Sequence, residues 1–125
     1  MLTEKQLHKT ICKYIKLQYP KTIFITDGSG LRVSIGEAKR LKQLRSDNGI
    51  PDIIIFQPNK CFHALFIEVK AKSPFKKDGT LFADKHLQEQ QDMKTRLNNL
   101  GYYAEFVWSF NQATKIIDDY MNNYN

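Results

Sequence analysis

The sequence predicts an α/β fold, a mixed β-sheet flanked by helices in the order α-β-α-β-β-α-β-α. Three observations carry that expectation. Helix-capping signatures recur ahead of amphipathic runs. Short β-branched and aromatic runs fall between them. Two of those runs follow one another across a Pro-Asn turn, as the strands of a hairpin do.

Each element has its own local cause. Thr3 with Gln6 forms a capping box, after which Leu7, Ile11, Tyr14 and Ile15 keep one apolar helical face until Pro20. Thr22 to Thr26 reads as a strand, stopped by the turn signal Asp27-Gly28-Ser29-Gly30. Ser34 with Glu37 opens a short basic helix through about Arg45, closed by Ser46-Asp47-Asn48-Gly49. Asp52 to Phe56 and Phe62 to Val69 are strands joined at Gln57-Pro58-Asn59-Lys60. Residues 71–83, with Pro74, Gly79 and several lysines, read as a mobile basic loop. Asp84 caps a third helix along which Leu87, Gln90 or Gln91, Lys94 and Leu97 recur, and Gly101 stands where a C-terminal glycine cap belongs. Tyr102 to Trp108 alternates as a strand, with Tyr102, Tyr103 and Trp108 as packing residues. Ser109 with Gln112 caps a last helix through about Tyr120.

A chain of 125 residues that is 42% hydrophobic can fold around one core without disulfides or a structural metal. No repeat, low-complexity tract or Gly/Ser linker divides it, so residues 1–125 read as a single domain. Cys12 and Cys61 form no ligand pair and read as buried thiols of a reducing compartment. The longest apolar run, Ile53 to Phe56, is strand-sized, and MLTEKQLHKT is charged from its fourth residue. A soluble cytoplasmic protein with no membrane contact is the expectation. The net charge is +6 and uneven: residues 1–50 hold ten Lys and Arg against four acids, whereas residues 84–125 hold four against six. Such a basic excess suits a polyanion, and composition alone fits a lysine-rich solvated surface equally well.

The pattern acid-x-Lys occurs at Glu37-Ala38-Lys39, Glu68-Val69-Lys70 and Asp92-Met93-Lys94. On a helix, residues two apart point roughly 200° apart and cannot serve one site. Only Glu68 and Lys70 lie on a predicted strand, where that spacing puts both on one face. They interrupt an otherwise apolar run, and charge there must be paired, hydrated or metal-bound. A structural salt bridge would satisfy the same demand. Gly49-Ile50-Pro51-Asp52 sets Asp52 at the start of the preceding strand; antiparallel pairing then brings it beside the end of the next, near Glu68 and Lys70. Two adjacent carboxylates repel unless they share a cation, and Mg²⁺ is the usual one beside a phosphate. Pro-Asp as a plain turn is the simpler alternative.

Gly49-Ile50-Pro51-Asp52-Ile53, then Phe66-Ile67-Glu68-Val69-Lys70, then Gln90 with Leu97 and Gly101, resembles the VRR-NUC branch of the PD-(D/E)xK nucleases. The resemblance runs from Glu4 to about Val107 and implies a restriction-endonuclease-like fold. It implies that Asp52, Glu68 and the Val69 main-chain carbonyl bind Mg²⁺, with Mn²⁺ as a substitute, and that Glu4 completes or supports the site. Lys70 would orient the attacking water, and Gln90 would hold that water or a ligand; a one-residue slip would choose Gln91. It further implies a metal-dependent endonuclease acting on DNA, structure-selective on junctions or flaps, in phage or repair-type processing, as a homodimer in related stand-alone proteins.

Lys39, Arg40, Lys42 and Arg45 lead into the Pro-Asp segment, and Lys72, Lys76 and Lys77 follow Lys70; both sets read as phosphate contacts that position DNA. A solvated basic face is the alternative. His8 stands one helical turn after Glu4 and could share its face, and reads as a surface histidine rather than a catalytic base; His63 and His86 have no partner pattern, and no His/Cys spacing suits zinc. Gly28 and Gly30 lack the spacing of a phosphate loop. The rival reading of the whole chain is a non-catalytic nucleic-acid-binding module of a repair or packaging assembly.

Overall fold

The computed structural model describes residues 2–26, 34–47 and 49–123. Its elements are α1 (Glu4–Gln18), β1 (Phe24–Thr26), α2 (Ile35–Leu44), β2 (Ile53–Ile55), β3 (Leu65–Val69), α3 (Lys85–Asn99), β4 (Tyr103–Val107) and α4 (Phe110–Met121), in the order the sequence predicts. The caps are those read from sequence. Thr3 and Gln6 exchange both bonds of the capping box, while Ser34, Asp84 and Ser109 accept from the N–H groups of Glu37, Leu87 and Gln112. No helix among the described residues is long and apolar enough to cross a membrane.

The sheet order is β1-β2-β3-β4, with the first two pairings antiparallel and β3–β4 parallel. Alternation divides its faces. Ile53, Ile55, Leu65, Ile67, Val69 and Val107 form a core with Leu7, Ile11 and Ile15 of α1 and Ala113, Ile117 and Met121 of α4. Tyr14 donates to both carboxylate oxygens of Asp118, at 2.7 and 2.8 Å, which ties α1 to α4 on the same side. The opposite face carries Glu68 and Phe106, paired in register, and α3 lies there against β4 with Gln90 and Met93 buried.

The strands are shorter than the sequence suggests. Asn59 Oδ1 accepts from the N–H groups of Cys61 and Phe62, which shifts the β2–β3 turn by about two residues. His63 N–H then donates to Gly101 and Tyr103 N–H to Ala64, so residues 63–64 serve the β4 side instead of the hairpin. Cys61 is consequently exposed on this turn and Cys12 is half-buried, against the expectation of two buried thiols.

The segment read as a mobile loop is anchored. Phe75 and Leu81 form an antiparallel bridge, and Phe75 packs edge-on against Phe106 and Trp108, with ring centroids 5.8 and 6.1 Å away. The apolar pair explains the difference, because burying one aromatic ring outweighs the pull of the flanking lysines toward water. The predicted turn Asp27–Gly30 lies outside the described residues, as does Asn48 of the second turn.

Candidate active site

Strand register creates the carboxylate pair. Ile53 lies opposite Ile67, so the next residues outward, Asp52 and Glu68, face one another across β2 and β3. Their main chains lock the arrangement: Asp52 N–H donates to Glu68 Oε2 at 3.2 Å, and Val69 N–H donates to Asp52 Oδ2 at 2.8 Å. Lys70 N–H continues the parallel ladder to the Val107 carbonyl, and Lys70 Nζ lies 3.8 Å from Glu68 Oε1. From α3, the Gln90 amide nitrogen donates to Glu68 Oε1. Of the two adjacent glutamines, Gln90 is therefore the one that reaches Glu68. The helical acid-x-Lys pairs do not converge; Lys94 pairs with Glu105 at 2.9 Å, while Asp92 accepts from Gln88.

Burial dominates the electrostatics of the pair. Glu68, only 7% exposed, is pushed up to about 9 by desolvation and then by the charge of Asp52, against the opposing pull of Lys70. Desolvation also raises Asp52, and the Val69 N–H and the charge of His8 act to lower it. Two carboxyls in this position cannot both ionise freely. They need a shared proton or a cation.

The donor set fits a hard divalent cation. Asp52 and Glu68 present paired carboxylate oxygens at the floor of a cleft, which is what Mg²⁺ takes from proteins. Val69 also lines the cleft; its side chain is buried in the core, so its contribution there is main-chain. Glu4 lines the same cleft from the first turn of α1. Among the described residues, however, no three His, Cys, Asp or Glu side chains gather closely enough to hold one ion. The inner cluster is a pair, with Glu4 farther out.

The cleft has a volume of about 1180 Å³ and is walled by α1, α2 and α3. Among the predicted phosphate contacts, Lys42 and Arg45 line it, whereas Lys39 and Arg40 are exposed elsewhere on α2, the latter 3.9 Å from Glu37. Lys72, Lys76 and Lys77 are exposed on the anchored loop and are not part of the wall. The cleft instead recruits Lys5, His8 and Lys9 from α1 and Lys85 and His86 from α3, of which the sequence reading sets only His8 beside Glu4. A signal was present. Glu4, Lys5, His8, Lys9 and Cys12 share one helical face, and His86 stands one turn before Gln90.

No protein-family model matches the chain, and no curated protein matches it. Among solved structures, one described as "VRR_NUC domain protein" is 23% identical and superposes with a TM-score of 0.71 over 100% of this chain and 93% of that chain. The likeness is one of fold: the chain has the mixed sheet and flanking helices of the VRR-NUC, restriction-endonuclease-like architecture.

Proposed function

We propose that this protein is a Mg²⁺-dependent nuclease that hydrolyses DNA phosphodiester bonds internally. The observation that carries the reading is the buried Asp52–Glu68 pair, with Lys70 beside it, at the floor of a cleft lined by Lys5, Lys9, Lys42, Arg45 and Lys85. Clustered acids facing a basic wall make little sense for a polyanion binder unless a cation joins them. The motif resemblance and the fold shared with a VRR_NUC domain protein support the same reading.

Asp52, Glu68 and the Val69 main chain would hold the ion. Bound there, Mg²⁺ supplies a Lewis acid for the phosphoryl oxygen and lowers the pKa of water. Lys70 contributes a fixed ammonium where charge develops on the phosphate and orients the attacking water. Gln90 keeps Glu68 from rotating away, and the basic wall positions the backbone of the substrate. Glu4 supports the site from α1. Choice of substrate would rest on DNA shape, as in junction or flap processing of the repair or phage type. A homodimer would supply the two centres that paired cuts require. The cytoplasm is the matching compartment.

The test is incubation with supercoiled plasmid, a flap and a four-way junction, each with Mg²⁺, Mn²⁺ or EDTA. Cleavage is expected with either metal and not with EDTA; equal cleavage in EDTA would sink the mechanism. That the described residues gather no third side-chain ligand beside the pair gives the non-catalytic module its structural argument, and tight binding without any cleavage would favour it.

A further inference from the structure

His86 stands one helical turn before Gln90 on α3 and lines the same cleft as Asp52 and Glu68. Its Nε2 lies 3.2 Å from Gln90 Nε2. An amide nitrogen only donates, so the imidazole nitrogen facing it is the acceptor and the ring proton sits on Nδ1. The opposite amide orientation would turn the Gln90 oxygen onto Glu68 Oε1. Two oxygens meet there only while Glu68 keeps a proton, and a carboxylate that holds a metal has none.

The Gln90 oxygen is buried with no hydrogen-bond partner. The amide is thus anchored through its nitrogen, with one N–H toward Glu68 and the other toward His86. Loss of either contact leaves a single tether. From this geometry we infer that His86 is a positioning residue: it fixes the Gln90 amide and, through it, the orientation of Glu68 that a metal requires. The inference rests on the reading of Asp52 and Glu68 as a metal site. His86 itself is exposed and supports no core packing, so its replacement tests orientation and not folding.

Two measurements decide it. In ¹⁵N-labelled, metal-free protein at about pH 10, above the value of about 9 to which Glu68 is pushed and where an ordinary histidine is neutral, long-range ¹H–¹⁵N correlations should report His86 as the Nδ1–H tautomer. An Nε2–H tautomer would overturn the hydrogen bond whether or not the protein is a nuclease. Calorimetric titration with Mn²⁺ should then give dissociation constants about tenfold weaker for His86→Ala and His86→Lys, as loss of an outer-shell partner typically does. His86→Gln retains an acceptor at similar reach and should bind nearly as the parent does. Equal affinity in all four proteins, or equal loss in the glutamine variant, would refute the acceptor role. A parent protein that binds no Mn²⁺ would retire the metal-site reading itself, while the tautomer still reports on the contact between His86 and Gln90.

Discussion

Glu68 holds its proton far more tightly in the fold than it would in an unfolded chain, because burial and the neighbouring Asp52 both oppose its ionisation. A folded state that binds a proton more tightly than the unfolded one is most stable below the ordinary carboxyl range, and loses that advantage as pH rises through the folded value. The window runs from the ordinary value of 4.5 to about 9. The unfolding free energy of the metal-free protein should therefore fall across this range, by at most about 1.4 kcal/mol per pH unit for one proton, and its thermal midpoint should fall with it. Asp52, also raised, acts in the same direction. Glu68→Gln removes the ionisation and should flatten the profile; a midpoint that climbs with pH in the parent would contradict the buried pair. The same residues supply the chemical test. Asp52→Asn, Glu68→Gln and Lys70→Ala should each abolish metal-dependent plasmid cleavage while leaving circular dichroism unchanged, and full activity in any of the three would reject its assigned role.

At the level of elements, the site depends on how closely α3 approaches the segment that enters β2. Gly49 adopts φ +80°, and a Cβ there would come within 3.2 Å of the Glu89 carbonyl and 3.5 Å of the Gln90 Cα. Gly49→Ala combines a left-handed backbone strain with pressure on the helix that carries Gln90, and should cost about 1–3 kcal/mol. Urea denaturation measures that loss, and Mn²⁺ titration should show weaker binding as Gln90 is pushed from Glu68. A variant as stable as the parent would mean that the turn can relax.

The same scale explains what was legible in the sequence. Caps at Thr3, Ser34, Asp84 and Ser109 are local patterns, and Asp52 beside Glu68 follows from a two-residue strand period joined by a short antiparallel connection. Helical spacing puts Lys5 and Lys9 on the face of Glu4 and His86 one turn before Gln90, but only the placing of α1 and α3 around the strand ends turns those faces, with Lys85, into walls of one cleft. Lys72, Lys76 and Lys77 follow Lys70 closely in sequence yet stand outside the cleft lining. The contact of Phe75 with Phe106 and Trp108 fixes their loop along β4, and they do not join the cleft wall.

Over the whole molecule, the net charge of +6 becomes directional. Basic side chains from three helices line one cleft whose floor is acidic, while the lysines of the 71–83 loop face solvent outside it. If the cleft is where a phosphate backbone lies, then charge placed on its wall should matter more than equal charge placed on the loop. Reversing Lys5 and Lys9 together to Glu should weaken DNA binding and reduce the slope of log affinity against log salt by about 0.9 for each phosphate contact removed. The matched reversal of Lys76 and Lys77 changes the net charge by the same amount and controls for the general field of the protein. Fluorescence anisotropy over a salt series compares the two directly. A smaller loss and an unchanged slope for the loop pair are expected. Equal losses with equal slope changes would extend the interface from the cleft along the loop, and would restore Lys76 and Lys77 to the contact surface that their sequence position suggests.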